Sequence, residues 1–304
     1  MNSRIRMIAI DLDGTLLNSK KRISERDIEA LQAAVHRGVE IVPVTGRNFY
    51  FALSKVELLP FDVPLIASNG AIIRSKEGET FLRHLLPAEV AASVLEATRA
   101  FRPYTVLMYD QPGAGQLRIE SVKSGHSSGG QTMQPANSVA MSGWLERNRE
   151  RVQYAVALED ALDGDPLEIM FAGPVSVMRA VEACLEDGSG GNRSGNLQPS
   201  INRFQLLRTE YPKRDMSILD VIRAGASKGN ALEHWSRMRG IAAAEVMAIG
   251  DNYNDLEMLR FAGLPVVMDN ADEALKQYIK QQGWAATLDC DSGGVAHAIE
   301  QYVL

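Results

Sequence analysis

Two aspartates set two positions apart, Asp11 and Asp13 in "RMIAIDLDGTLL", end an apolar run and are followed at once by Gly14 and Thr15. Burying an unpaired carboxylate costs far more than one side chain's packing returns, so the pair belongs at the end of the run and not inside it. A carboxylate is a competent nucleophile toward phosphorus. Its attack forms an aspartyl-phosphate and divides one hard displacement into two easier ones, and Asp11 is placed for that attack. Two positions along an extended chain, Asp13 points the same way, where it can protonate a departing oxygen and later deprotonate the attacking water. Negative neighbours are expected to raise its pKa, which an acid working near neutral pH requires. Gly14 permits a sharp turn, and Thr15 offers a small hydroxyl where the next element begins.

A second acidic group, Gly250-Asp251-Asn252-Tyr253-Asn254-Asp255, also follows an apolar run, "EVMAI". Other short runs end in polar residues: "VEIVPV" before Thr45-Gly46-Arg47, "PLIA" before Ser68-Asn69-Gly70 and "LPVVM" before Asp269. Such runs read as buried strands. Helical periodicity separates most of them, as in "SERDIEALQAAVHRG", where Ser24 and Asp27 form a start signal, Ile28, Leu31 and Val35 share a face, and Gly38 ends the element. Strand alternating with helix predicts an α/β fold with a doubly wound, Rossmann-like parallel sheet. In the order third, second, first, fourth, fifth, the strand ending at Asp11 neighbours the one ending at Asp251, and the switch point is lined with acid. Carboxylates converging there would repel one another without a cation, and an oxygen-only ligand set favours magnesium over zinc.

Nothing in the composition points to another class of partner. The 304 residues are 45% hydrophobic and 23% charged with a formal net charge of -6, ordinary for a globular protein and no footprint for nucleic acid or an anionic membrane. That length suits two domains at roughly 150 residues each. The two cysteines form neither a CxxC pair nor a Cys/His cluster, and the five histidines show no metal spacing. No apolar segment is long enough for a signal peptide or membrane span, so the expected location is the cytoplasm and the expected state a monomer or weak homo-oligomer.

Between Arg83 and Asp215 the alternation breaks down. Strand-like runs such as "YTVLMY", "QLRIES", "PLEIMFA" and "RFQLLRT" cluster around the helical segments "PAEVAASVLEATRAF" and "PVSVMRAVEACLED". This predicts an α+β module inserted into the α/β domain, with core residues 1–83 and 216–304 flanking a module at 84–215. The module is expected to act as a lid that sets substrate specificity. "SGHSSGGQ" and "EDGSGGNRSGN" read as surface loops.

Four segments together match a family pattern. "DLDGT" at Asp11, "TGR" at Thr45, "SKGNAL" at Ser227 and "GDNYND" at Gly250 resemble, in order, the motifs of the haloacid dehalogenase superfamily of aspartate-nucleophile phosphatases. The insertion, "NGA" at Asn69 and "GGVAHAI" at Gly293 resemble its Cof-type members, which carry a large α/β cap. The resemblance implies that Asp11 is nucleophile and magnesium ligand. It makes Asp13 the general acid/base, with its backbone carbonyl on the metal. By the same resemblance Thr45 hydrogen-bonds the phosphoryl group and Lys228 neutralises charge. Asp251 would bind the metal directly, with Asn254 and Asp255 in support, and Gly46, Arg47 and Asn69 would line the substrate. The implied reaction is magnesium-dependent hydrolysis of a small phosphorylated metabolite such as a sugar phosphate. Transfer to a second sugar shares the same first step. A phospho-accepting signalling domain would leave Asp13 and the insertion without a role. Asp269 and Asn270 could contribute to the crevice, but capping the helix beginning near "ADEALKQY" is the expectation.

Overall fold

The computed structural model describes residues 5–123, 133–135, 139–188, 203–211 and 214–304. The chain opens with β1 (Met7–Asp11), α1 (Glu25–His36), β2 (Glu40–Val44), α2 (Phe49–Val56), β3 (Pro64–Ala67), β4 (Ile72–Ser75) and β5 (Thr80–Arg83). It continues with α3 (Ala88–Ala97), β6 (Thr105–Met108), β7 (Leu117–Lys123), β8 (Met133–Pro135), α4 (Val139–Arg147), β9 (Val152–Ala155), β10 (Glu168–Gly173), α5 (Val175–Gly188), β11 (Phe204–Tyr211) and β12 (Met216–Arg223). It closes with α6 (Lys228–Met238), β13 (Val246–Gly250), α7 (Leu256–Phe261), β14 (Leu264–Val267), α8 (Glu273–Gln282), β15 (Ala285–Ala286) and α9 (Gly294–Tyr302).

These elements form two compact units, one of residues 1–83 and 226–304 and one of residues 84–225. The first is built on the sheet β15-β14-β13-β1-β2-β3-β4-β5. Its central strands run β3-β2-β1-β13-β14, all parallel, in the order the apolar runs predict. β4 and β5 add an antiparallel edge that the sequence reading did not separate. β1 is buried along its whole length, which explains its unbroken apolar run. Met7 and Ala9 meet Leu232 and Trp235 of α6, Met258 and Leu259 of α7, and Leu275 and Ile279 of α8.

α1 departs slightly from expectation. Its buried residues are Asp27, Ala30, Leu31 and Ala34, with Ile28 and Val35 only half-buried. The stripe is rotated because the Asp27 carboxylate is committed at both ends. It receives the Ser24 hydroxyl at 2.6 Å and the N–H of Ala296, in the first turn of α9, at 2.9 Å.

The second unit is α+β, as expected, with strand order β11-β12-β10-β6-β7-β8 and β9 pairing β7 in parallel. α3 and α5 cover one face through Val90, Leu95, Met178 and Val181, packed on Leu107, Ile169, Phe171, Leu219 and Val221. The expected boundary at Asp215 is corrected to about Gly225. β12 pairs with both β10 and β11, so the strand that follows Asp215 is part of this unit's sheet. "SGHSSGGQ", residues 124–131, lies outside the described residues; of "EDGSGGNRSGN", the first three residues end α5 and the rest lies outside them.

One feature of this sheet is unusual for its position. Alternation along β10 puts Glu168 and Met170 on the face opposite Ile169 and Phe171, and Met170 is the register partner of Asp220 on β12. Glu168 is 3% exposed and its Oε2 has no hydrogen-bond partner. Burial, and then the charge of Asp220, push the Glu168 carboxyl well above its usual range; burial pushes Asp220 up to about 7. Among the described residues, no helix is long and apolar enough to cross a membrane.

Candidate active site

The four motif segments meet at the carboxyl ends of β1, β2, β3 and β13, around the point where strand order reverses between β1 and β13. β1 ends on Asp11, which is 5% exposed, and the chain turns back at once: Leu16 N–H donates to the Asp11 carbonyl at 3.1 Å and Leu17 N–H to that of Leu12 at 2.7 Å. Gly14 makes the turn with φ +91°, and a Cβ there would stand 2.4 Å from Asp251 Oδ2. Glycine is required both for its backbone angle and for the space it leaves.

Lys228, the first residue of α6, is brought to the same place by its neighbour. Ser227 is the N-cap, its hydroxyl accepting from Asn230 N–H at 3.1 Å. Lys228 Nζ lies 2.6 Å from Asp11 Oδ1 and 2.6 Å from Asp255 Oδ1, with only 1% of its side chain exposed. Burial alone would lower the lysine's pKa, but two carboxylates at contact distance outweigh it and hold the ammonium protonated. This is no solvated surface lysine.

The other carboxylates have distinct settings. Asp255 is fully buried; Lys228 occupies Oδ1, and the N–H groups of Asp251 and Asn252 donate to Oδ2 at 3.1 and 3.0 Å. With both oxygens engaged it shapes the loop after β13 and anchors Lys228. Asp251 receives the Thr15 hydroxyl at 3.1 Å, and burial, then the charge of Asp255, push it up to about 7. Burial, then Asp255, likewise push Asp11 well above the usual carboxylate range against the opposing pull of Lys228. Asn254 lies half-buried in the same turn.

Asp11, Asp251 and Asp255 offer oxygens within 4.8 Å of one another. Asp11 and Asp251, driven toward protonation by burial and by the charge of Asp255, are what a divalent cation would relieve, and an all-oxygen donor set fits magnesium. Asp255 is fully buried and already accepts from the Lys228 ammonium and two backbone N–H groups, so Asp11 and Asp251, with fewer contacts, are the better placed donors.

Asp13 corrects one expectation. Its carboxylate is clasped by Arg47, Nε at 2.5 Å and Nη2 at 2.6 Å, and by Lys21 Nζ at 2.8 Å. Burial works to raise its pKa, but these two cations outweigh it and hold Asp13 at about 2. The expected rise is reversed because the cations are nearer than the other carboxylates. The same clasp keeps its carboxylate off a metal and leaves Arg47, expected against substrate, on Asp13.

Thr45 is buried, its hydroxyl accepting Arg47 N–H at 3.1 Å and its carbonyl accepting Asn69 N–H at 3.0 Å. Gly46 leaves room for Asn69, whose Oδ1 would lie 2.9 Å from a Cβ at that position. Asn69 follows Ser68 in the left-handed region, at φ 52° and 49°, and is 3% exposed with Oδ1 unpartnered. Two adjacent strained residues that end in an unsatisfied acceptor mark a position shaped for more than packing.

Two residues join the site from outside the four motif segments. Lys21 lies in "NSKKRIS", which belongs to none of those segments. Asn270 was expected to cap α8, but Asp272 does so, accepting from Ala274 N–H at 2.8 Å. Asn270 instead donates to the Gly14 carbonyl at 2.8 Å and to Asp251 Oδ2 at 3.4 Å, while its Oδ1 accepts Cys290 N–H at 2.9 Å.

Pyridoxal phosphate phosphatase YbhA of Escherichia coli is 28% identical over 279 residues, covering 89% of this chain and 90% of that protein. The 5-amino-6-(5-phospho-D-ribitylamino)uracil phosphatase YwtE of Bacillus subtilis is 27% identical, with 98% of each chain covered. A crystal structure of a haloacid dehalogenase-like hydrolase from Bacteroides thetaiotaomicron superposes with a TM-score of 0.74 at 25% identity, covering 98% of this chain and 99% of that one. Residues 8–160 and 196–299 match the pattern of the haloacid dehalogenase-like hydrolases, and the chain belongs to that family.

Proposed function

We propose that this protein is a magnesium-dependent phosphatase of small phosphorylated metabolites, working through a phosphorylated Asp11. The observation that carries this reading is the arrangement of Asp11 itself: a buried strand-end carboxylate with one oxygen fixed by Lys228 at 2.6 Å and Asp251 close by. Magnesium, held by Asp11, Asp251 and, as the family resemblance implies, the Asp13 carbonyl, would offset the charge of the incoming phosphoryl group.

In the first step an Asp11 oxygen attacks phosphorus, the bond to the leaving oxygen breaks, and that oxygen takes a proton from Asp13. In the second step water attacks the phosphoryl group, gives its proton to Asp13, and the acyl-phosphate bond breaks to release phosphate and restore Asp11. Lys228 balances charge on Asp11 throughout, and Thr45 and Asn69 are assigned to the phosphoryl oxygens and the substrate. Asp13 cannot serve as the acid while Arg47 and Lys21 hold it ionised, so this reading requires bound phosphate to draw Arg47 away. The relatives named above are phosphatases of pyridoxal phosphate and of a phosphorylated ribitylaminouracil, which supports a small organic phosphate as substrate class. The 84–225 unit is assigned to choosing among such molecules.

The test is phosphate release from a panel of sugar, nucleotide and coenzyme phosphates. Turnover is expected with magnesium, lost with a chelator, and lost in Asp11→Asn. A sizeable residual rate in that variant would rule out the covalent route.

A further inference from the structure

Lys21 faces two ways in the fold. It grips Asp13, and it also lines a cavity of about 290 Å³ whose walls include Lys20, Arg22 and Lys55, with Leu17 and Leu58 among its apolar parts. Among the residues lining this cavity there is no carboxylate. Four cations around one hollow are unexpected in a chain whose formal net charge is -6.

The turn that presents them is held in shape. Asn18 Oδ1 accepts the N–H groups of Lys20 and Arg22 at 3.0 and 3.1 Å, Asn18 N–H donates to the Arg22 carbonyl at 3.0 Å, and Lys21 sits in the left-handed region at φ 58°. A β-unbranched lysine at positive φ is a strained choice where asparagine or glycine is the easy one. The acids nearby are engaged elsewhere: Asp13 by Arg47 and Lys21, and Asp291, which feels the charge of Lys20, by the N–H and hydroxyl of Ser19 at 3.0 and 2.8 Å. Among the described residues, no ion pair ties down the side chains of Lys20, Arg22 or Lys55.

We infer that this cavity is a subsite for a second anionic group of the substrate, a carboxylate or second phosphoryl group carried on the same small molecule as the phosphate that Asp11 attacks. The inference rests on the phosphatase reading. Like charges gathered in one hollow are relieved by an anion, and the apolar walls suit the short carbon skeleton that joins it to the reacting group. Lys21 spans the gap between the two sites, since one side chain touches Asp13 and borders the cavity.

The experiment uses the full-length protein with magnesium and compares matched substrates: phosphoglycolate with ethyl phosphate, phosphoserine with phosphoethanolamine, and a hexose bisphosphate with the hexose monophosphate. The member with the second anion is expected to have the higher kcat/KM, mainly through KM, with a preference that shrinks as salt is raised. In the double variant Lys20→Gln with Lys55→Gln, that preference is expected to fall by about fivefold, the scale of losing two partly exposed charge contacts. No preference in the wild type in any pair, or an unchanged preference in the double variant, would overturn the subsite. If no phosphate ester is turned over, the phosphatase reading fails on its own. Calorimetric titration of chelator-treated protein with the hexose bisphosphate then decides the cavity: binding weakened in the double variant supports it, and equal or absent binding overturns it.

Discussion

Replacing Lys228 with methionine keeps the length and apolar stem of the side chain and removes only its charge. In the wild type that charge is 1% exposed and lies between Asp11, whose side chain is 7% exposed, and Asp255, which is fully buried. Removing one partner of a buried ion pair strands the other, at about 3–5 kcal/mol. For a domain of this size each kcal/mol is worth about 2–4 °C, so the metal-free variant is expected to melt about 6–20 °C below the wild type at pH ~8. The loss has a pH signature. Asp11 already titrates above its unfolded range, and without Lys228 it rises further. An acid whose folded pKa exceeds its unfolded pKa destabilises as pH climbs from the unfolded value toward the folded one, because the folded state must shed a proton it holds tightly. The deficit should therefore be smaller near pH ~5 than near pH ~8. Magnesium should recover part of it at pH ~8. The assay is thermal unfolding at the two pH values, with chelator and with magnesium, alongside turnover, which should fall by about a hundredfold or more. A variant that melts with the wild type at pH ~8, or whose deficit is the same at both pH values, would refute the claim that Lys228 neutralises a buried acidic pair.

Asp251 titrates near about 7 without metal, so a cation must displace a proton there; magnesium affinity should weaken by up to about tenfold per pH unit below that value, and a flat calorimetric profile would contradict it. Gly14→Ala puts a methyl 2.4 Å from an Asp251 oxygen at positive φ, and is expected to cost more than about 1 kcal/mol and to raise the magnesium requirement measured in turnover. Arg47→Met removes the main group that lowers the Asp13 pKa, so a carboxyl titration by NMR should find Asp13 well above about 2; an unmoved value would mean that Lys21 alone sets it. Glu168→Gln should raise the melting temperature at pH ~8 more than at pH ~5, because the buried carboxyl's penalty appears only above its unfolded pKa; equal changes would show that Glu168 is not strained by its charge.

What was legible in the sequence has a common physical origin. Strands of a parallel sheet are buried on both faces, so "MIAI" and "VMAI" are apolar without alternation, and the first residues that break the pattern, Asp11 and Asp251, stand where the sheet ends. Their adjacency follows from strand order alone. The residues that escaped notice act through contacts that no local pattern encodes. Lys21 reaches Asp13 from a turn outside every motif segment, and the contact of Asn270 with the Gly14 carbonyl spans 256 positions. Glu168, which opens β10, and Asp220, inside β12, place carboxylates on two largely apolar strands, where the same cost of burying charge applies and Glu168 Oε2 has no hydrogen-bond partner.

Asp13 shows where reading from residue types stops. Its neighbours in sequence and at the strand ends include several acids, and a count of charges predicts a raised pKa. The structure inverts the sign through two cations, Arg47 at 2.5 Å and Lys21 at 2.8 Å, contributed by the end of β2 and by a surface turn. Coulomb interactions fall with distance and are screened by water, so two contacts below 3 Å outweigh more distant acids. An Arg47 that clasps Asp13 also carries the group best suited to grip a phosphate in a planar, two-pronged way. The two partners compete for one guanidinium. On the proposed reading, a phosphate that wins the competition would free Asp13 to regain a proton when the leaving group needs one, and the acid's readiness would be tied to the presence of substrate. The clasp of Arg47 and Lys21 keeps Asp13 ionised, and on that reading the proton donor would be assembled only when there is a leaving group to receive its proton.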